Sequence, residues 1–407
     1  MTAWDDADWI RALPKTDLHV HLDGSLRLST LLELAAEQGV ELPASDEAGL
    51  RATVFLDHYP DLGAYLHGFK YTCAVLRDAA ALRRCARELA EDCFAEGVRY
   101  FEVRFAPQLH MGPGLDMDAT LQAVAQGLRD AESTWNASAG VQAGEEPPYR
   151  SGMIVCAMRM FTGGFSPWYA DYVAMHRDRP LPEIIRLAAV DLVHSAVRAR
   201  DTWGLPIVGF DLAGQERGWP AGVHREAYDL AHRHFLKKTV HAGEAFGPAS
   251  IFQAITDLHA DRIGHGYHLF SADMVDDPSI EDPEAWVSHL ADYIADRRIT
   301  LEVCLTSNLQ TMPALAGYAD HAFGRMLRER LSVTLCTDNR LISHTTVTDE
   351  VLYAVRHFDI EPRRLRNLLL YGFKRSFQPD TYSGKRAYVR QVIDHFDAVS
   401  RRHGHVV

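Results

Sequence analysis

Apolar positions along this chain follow two alternating rhythms. Short runs rich in β-branched and aromatic residues read as strands: "DLHVH" (17–21), "GVRYFEVRF" (97–105), "MIVCAM" (153–158), "PIVGFDL" (206–212), "KTVHAG" (238–243), "RIGHG" (262–266), "ITLEVC" (299–304) and "LSVTLCTD" (331–338). Between them the spacing lengthens to three and four. In "SLRLSTLLELAAEQGV", Leu28, Leu31, Leu32, Ala35 and Ala36 mark one buried helix face, with Ser25 or Ser29 as the expected cap and Gly39 as the stop. "LGAYLHGFKYTCAVL" (62–76) predicts another amphipathic helix. "ALRRCARELAEDCFAEG" and "PEIIRLAAVDLVHSAVRARDTWG" predict two more.

Strands alternating with helices imply βαβ units and a parallel sheet. Eight repeats predict an α/β fold of the (β/α)8 TIM-barrel type, spanning residues 1–407 as a single domain with extra helices and inserted surface loops. A doubly wound sheet ranks second, because no Gly-x-Gly-x-x-Gly follows the first strand. "NASAGVQAGEEPPYR" (136–150) and the acidic "SADMVDDPSIEDPEAW" (271–286) read as surface loops. From about residue 380 a closing helix and a basic tail are expected.

Bulk composition narrows the function. The 407 residues are 47% hydrophobic and carry a formal net charge of −13. That charge disfavours nucleic acid or an anionic membrane as a partner and leaves a small molecule. The six cysteines form no C-x-x-C pair and read as reduced, packed thiols of a cytoplasmic protein. The acidic N-terminus has no apolar signal region, and no apolar run reaches the roughly 18 residues of a membrane span. Without a secretory signal, "NAS" at Asn136 reads as a chance match to the glycosylation pattern.

The chemistry lies where a barrel demands it, at the C-terminal ends of strands. His19 and His21 end the first strand, where residues i and i+2 share a face. Asp211 and Gly214 follow the fourth strand, His241 and Glu244 the fifth, His265 the sixth, and Asp338 and Asn339 the eighth. Glu102 and Arg104, within the second strand, read equally as packing or ion pairing. Two further H-x-H strings fail the same positional test. His232 and His234 sit in a helical pattern, where i and i+2 diverge, and His403 and His405 sit in the tail. Three imidazoles and a carboxylate make a good zinc set with a position open to water. His265 then stands as a fourth ligand or a nearby base.

"LPKTDLHVHLDGS", "FEVRFAP", "VGFDLAGQE", "HAGE", "RIGHG", "SNLQT" and "TDN", in this order, resemble the adenosine deaminase family of the amidohydrolase superfamily. The resemblance runs from about Leu13 to Phe377. It implies one zinc ion per chain, held by His19, His21, His241 and Asp338, and a purine nucleoside substrate. It implies that His265 orients or deprotonates the zinc-bound water and that Glu244 protonates purine N1. It places the Gly214 N–H at N3, Asn339 at N7, Asp23 at the ribose 5′-hydroxyl, and Leu62, Tyr65, Leu66 and Phe69 on an apolar gate helix. Ordinary helix packing is the alternative for those four apolar residues.

The absence of a lysine in "VGFDLAGQERG" favours a mononuclear centre over the superfamily's binuclear one. The H-x-E…P-C-x-x-C signature of the base-flipping zinc deaminases is also missing. Two positions depart from the family pattern. Asn339 stands where the family has aspartate, and Cys304-Leu305 where it has Cys-Pro. A neutral amide still donates a hydrogen bond to N7. Deaminases of adenine, a modified adenosine or AMP are the alternatives within the family, and a catalytically silent barrel that only binds is the alternative outside it. By the same resemblance Asp23 disfavours free adenine, whose deaminases more often have H-x-H-x-E-G here, and its carboxylate should repel a 5′-phosphate, which disfavours AMP.

Overall fold

The computed structural model describes residues 4–405. Its eight strands are β1 (Lys15–His21), β2 (Val98–Phe105), β3 (Arg150–Met158), β4 (Ile207–Ala213), β5 (Lys237–Ala242), β6 (Arg262–His265), β7 (Thr300–Val303) and β8 (Ser332–Leu335). They pair in chain order, every pair parallel, with helices between them: a (β/α)8 barrel. All eight predicted strands are present. The doubly wound alternative is excluded by this order, which never reverses.

Closure is made by residues of the candidate site. Between β8 and β1 there is only an isolated parallel bridge, Val20 to Asp338. The His21 N–H donates to the Asp338 carbonyl at 2.7 Å and the Asp338 N–H to the His19 carbonyl at 2.8 Å. On the opposite side β4 and β5 pair only through Gly209–Lys237 and Phe210–Lys238.

The apolar core lies between the strands and the surrounding helices. The inside of the barrel is filled differently. Arg104 donates to Asp211 and to Glu302, both at 2.8 Å. Arg262 donates to Glu302 at 2.6 Å and to Glu102. All five side chains are buried, so each charge relies on its neighbours for the solvation it lost. Glu102 and Arg104 therefore belong to ion pairs inside the barrel.

Several local expectations need correction. The helix Leu28–Gln38 ends at Gly39 in the left-handed conformation (φ 67°), as expected. Its buried face includes Leu34, while Ala36 is exposed. Neither Ser25 nor Ser29 caps it; Arg27 occupies that position without a side-chain bond. Ser25 instead accepts the Arg340 N–H at 3.0 Å, tying the loop after β1 to the loop after β8. The single helix expected over 62–76 is two, Leu62–Leu66 and Phe69–Val75. The break falls at Gly68, where an added Cβ would lie 3.3 Å from the Phe55 ring.

The segment 136–150 lies partly exposed and contains the turn of helix Ala139–Gln142. There the Asn136 amide pairs with both backbone groups of Tyr149. The segment 271–286 holds a short 3-10 turn at Ala272–Met274 and is otherwise irregular up to Pro283, where a helix begins. The closing helix is Tyr382–Arg402. After it, His405 packs on Trp9 with ring centroids 4.1 Å apart and pairs with Asp6 at 3.1 Å. All six cysteines are buried and unpaired. No described helix is long and apolar enough to cross a membrane.

Candidate active site

Strand alternation brings His19 and His21 to one face of β1, and β5 and β8 deliver His241 and Asp338 beside them. One ligand atom from each of the four lies within 4.8 Å of the others. Asp338 Oδ1 is 3.5 Å from His19 Nε2 and 3.6 Å from His21 Nε2. Two like nitrogens, His21 Nε2 and His241 Nε2, face each other at 3.1 Å. His19 Nε2 is buried without a hydrogen-bond partner among the described residues. Inward-facing, unshared lone pairs of this kind suit a cation.

The rest of each ring is fixed from behind. His19 Nδ1 meets Glu302 at 2.9 Å and His241 Nδ1 meets Asp211 at 3.0 Å. Each carboxylate draws the ring proton to Nδ1 and leaves Nε2 free to coordinate, the usual outer support of a metal-binding histidine. Burial opposes the charge on Asp211 and Glu302. Even so, His241 and Arg104 hold Asp211 well below the usual carboxylate range, and Arg104 and Arg262 do the same for Glu302. Burial pushes His21 down to about 3, leaving a neutral imidazole. At Gly264 an added Cβ would sit 2.9 Å from His19 Cε1, so only glycine lets β6 pass that ring. Three imidazoles and a carboxylate suit a divalent metal ion, and a metal cofactor fits this site.

Glu244 stands next to this cluster, its Oε1 3.5 Å from His265 Nε2. Burial first, then the charges of Asp338 and Glu216, raise the Glu244 carboxyl well above its usual range. Glu216 also builds the turn that carries Glu244. It accepts the backbone N–H groups of Gly243, Glu244, Ala245 and Phe246 at 2.7–3.0 Å and the Ser250 hydroxyl at 2.5 Å.

A directed hydrogen-bond chain fixes the tautomer of His265. The Phe323 N–H donates to His321 Nδ1 at 2.9 Å. Burial keeps His321 neutral, pushed down to about 3, so its proton is on Nε2 and points at Asn308 Oδ1, 3.1 Å away. The Asn308 amide then donates to His265 Nδ1 at 3.2 Å. Burial also holds His265 well below the imidazole range. A neutral His265 that accepts at Nδ1 carries its proton on Nε2.

A cavity of about 500 Å³ opens beside the cluster. His21, Asp23, Leu66, Phe69, Met158 and Gly214 are on its wall. Gly214 has φ 97°, a conformation that favours glycine. One Asp23 oxygen meets His110 at 3.3 Å, while the other is buried without a partner among the described residues. Three expected substrate residues lie off this wall. Leu62 is half-buried against the core. Tyr65 is buried behind Asp338, its hydroxyl 2.7 Å from Ser343. Asn339 directs its NH₂ to the Tyr65 hydroxyl at 2.8 Å, and its carbonyl oxygen crowds Gly24, where a Cβ would fall 1.8 Å away. At the other family departure, Leu305 supplies an N–H that proline lacks and donates it to Glu350 at 2.8 Å.

Residue patterns alone missed Glu302, Glu216 and His321. Glu302 had a signal: a lone carboxylate inside the apolar strand "ITLEVC" must be paired. His321 lies in an irregular stretch with no periodicity to mark it.

Comparison with known proteins identifies the family. The adenosine deaminase family profile matches residues 14–395. An adenosine deaminase of Mycolicibacterium vanbaalenii is 40% identical over 374 residues, covering 91% of this chain and 92% of its own. A zinc-bound amidohydrolase from Burkholderia ambifaria superposes with a TM-score of 0.75 at 21% identity, covering 99% of this chain and 96% of its own, a likeness of fold. The N6-methyl-AMP deaminase of Arabidopsis thaliana superposes with a TM-score of 0.72 at 25% identity, covering 98% of this chain and 100% of its own. With the ligand cluster, the neighbouring acid and the matched profile all on one barrel rim, this chain belongs to the adenosine deaminase family.

Proposed function

We propose that the protein hydrolyses adenosine and 2′-deoxyadenosine to inosine and 2′-deoxyinosine with release of ammonia, using one zinc ion held by His19, His21, His241 and Asp338. The observation that carries this reading is Glu244, a buried carboxyl raised well above its usual range and grouped with His265 and the cluster residue Asp338. Zinc bound there supplies Lewis acidity that brings water toward hydroxide near neutral pH.

The chain's own residues do the rest. Glu244 donates its proton to N1 as water oxygen bonds to C6, so the ring accepts the incoming electron pair without building up charge. His265, carrying its proton on Nε2, donates a hydrogen bond to the attacking oxygen and orients it. The chain from Phe323 supports this orienting role over that of a base. Collapse of the tetrahedral C6 breaks its bond to the amino nitrogen, which takes the proton of the new C6 hydroxyl and leaves as ammonia, while the other proton of the water restores Glu244. The Gly214 N–H contacts N3, and Asp23 accepts from the ribose 5′-hydroxyl with its unpartnered oxygen. Leu66 and Phe69 cover the ring and exclude water.

The test is ammonia release from adenosine, 2′-deoxyadenosine, adenine and AMP, followed by ultraviolet absorbance. The two nucleosides are expected to give the highest kcat/KM. Faster turnover of adenine or AMP would reject the nucleoside reading, and no turnover of any would reject the enzyme.

A further inference from the structure

At the other end of the barrel, where β5, β6 and β7 begin, a second cavity of about 500 Å³ has a charge opposite to that of the chain as a whole. Eight lysine and arginine side chains line it against one carboxylate, Asp261. Part of this charge is accounted for. Asp261 pairs with Lys238 at 3.1 Å and lies 3.9 Å from Lys237. Arg262 is offset from behind by Glu102 and Glu302.

Five cations remain: Arg297, Arg298, Lys374, Arg375 and Lys385. None of them makes an ion pair among the described residues. Helix ends explain some of them one at a time. Arg297 and Arg298 close the helix Pro283–Arg297, and Lys374 and Arg375 close the helix Pro362–Arg375, where the dipole favours cations. That does not explain why both ends converge on one concavity with a fifth cation from a third helix. Convergence has visible costs. Burial pushes Lys385 down to about 8; Glu102 opposes this, while Arg262, Lys237 and Arg375 add to it. Burial, then Arg298, lowers Arg375, whose Nε is buried without a partner.

We propose that this basal cavity binds a compact anion bearing several phosphoryl groups, in contact with Arg298, Lys374, Arg375 and Lys385. Guanidinium forks and ammonium groups are the natural partners of phosphate oxygens. A single monoanion would leave most of the surplus unpaired, so several phosphoryl groups are needed. A long polynucleotide fits less well, because the cations lie in a concavity of a chain whose net charge is −13. The site stands apart from the deamination centre and does not rest on it.

The test is calorimetric titration of the full-length protein with inorganic tripolyphosphate at about 0.1 M salt, where screening acts beyond about 10 Å. One saturable site is expected, with citrate, a trivalent carboxylate, binding at least about tenfold more weakly. Arg298→Gly and Lys374→Ala, combined, should weaken tripolyphosphate by about tenfold or more. Both changes suit the fold. Arg298 has φ 53°, which glycine adopts freely, and Lys374 is exposed. An ATP arm separates the sources: tighter binding than tripolyphosphate points to a nucleotide, equal binding to a free polyphosphate. Absence of saturable binding, binding unchanged in the double variant, or citrate matching tripolyphosphate would overturn the proposal. So would a single-stranded oligonucleotide that binds where tripolyphosphate does not.

Discussion

The backbone N–H of Asp338 donates to the carbonyl of His19 at 2.8 Å, so two residues whose side chains converge on the candidate metal position also stitch the barrel shut. Asp338 does this with φ 60°, a left-handed conformation unfavourable for a residue with a side chain. Metal binding and closure should therefore be linked. Removing the metal with a chelator is expected to speed hydrogen exchange at the Asp338 and His21 amides before the other strand pairs respond. An ion present at about 1,000 times its dissociation constant adds ~4 kcal/mol, so the melting temperature should fall by several degrees. Uniform exchange across all strands would show that the seam and the metal are independent.

Glu244→Gln should retain the metal and lose kcat by about 10²–10⁴, the usual worth of a general acid. The measurement is steady-state kinetics beside elemental analysis. A near-native kcat would place the proton donor elsewhere.

Glu302→Gln removes the carboxylate shared by His19, Arg104 and Arg262. Two buried guanidinium groups lose an anion, which should cost about 3–5 kcal/mol of stability in denaturant unfolding. Loss of this support for His19 should also weaken zinc about 10–100-fold in a competition assay. An unchanged affinity would mean that the other partners suffice to orient the ring.

Asp23 is expected to read the 5′-hydroxyl with its unpartnered oxygen. Adenosine should outperform 5′-deoxyadenosine by roughly 1–3 kcal/mol in kcat/KM, because the buried acceptor is otherwise left unsatisfied. Asp23→Ala should narrow that gap. Equal kinetics for both substrates in the native enzyme would remove Asp23 from recognition.

Asn339 gives an expectation that differs from the one its place in the sequence suggests. Its NH₂ is committed to Tyr65 and its side chain is off the cavity wall. Asn339→Ala should lower kcat by loosening Tyr65 and Asp338, yet leave the adenosine to 7-deazaadenosine ratio unchanged. A ratio that falls in the variant would show that substrate binding turns the amide toward N7.

The barrel and the strand-end places of His19, His21, His241 and Asp338 were legible because both are short-range signals. Apolar runs mark strands, and a strand end separates His19 and His21 from the helical His232 and the tail residue His405. What stayed hidden depended on partners distant in the chain. The break at Gly68 answers to Phe55, and Ser25 is diverted from capping by Arg340. The clamp on the Glu244 turn comes from Glu216, 28 residues earlier. The gate residues divided for a similar reason. Periodicity marked Leu62, Tyr65, Leu66 and Phe69 as apolar, but only packing decides that Leu66 and Phe69 face the cavity while Tyr65 serves Asp338.

The charged filling of the barrel also has a historical consequence. Arg104, Arg262, Glu102, Glu302 and Asp211 share their partners, so exchanging any one of them breaks a buried pair and takes a charge partner from at least one other. Stranding a buried charge costs about 3–5 kcal/mol, a large part of the 5–15 kcal/mol that typically holds a domain folded. Single steps through sequence space are thus closed at these positions, and only compensated pairs remain passable. Descendants of this chain should drift freely on the helices while these five residues change together or stay as they are.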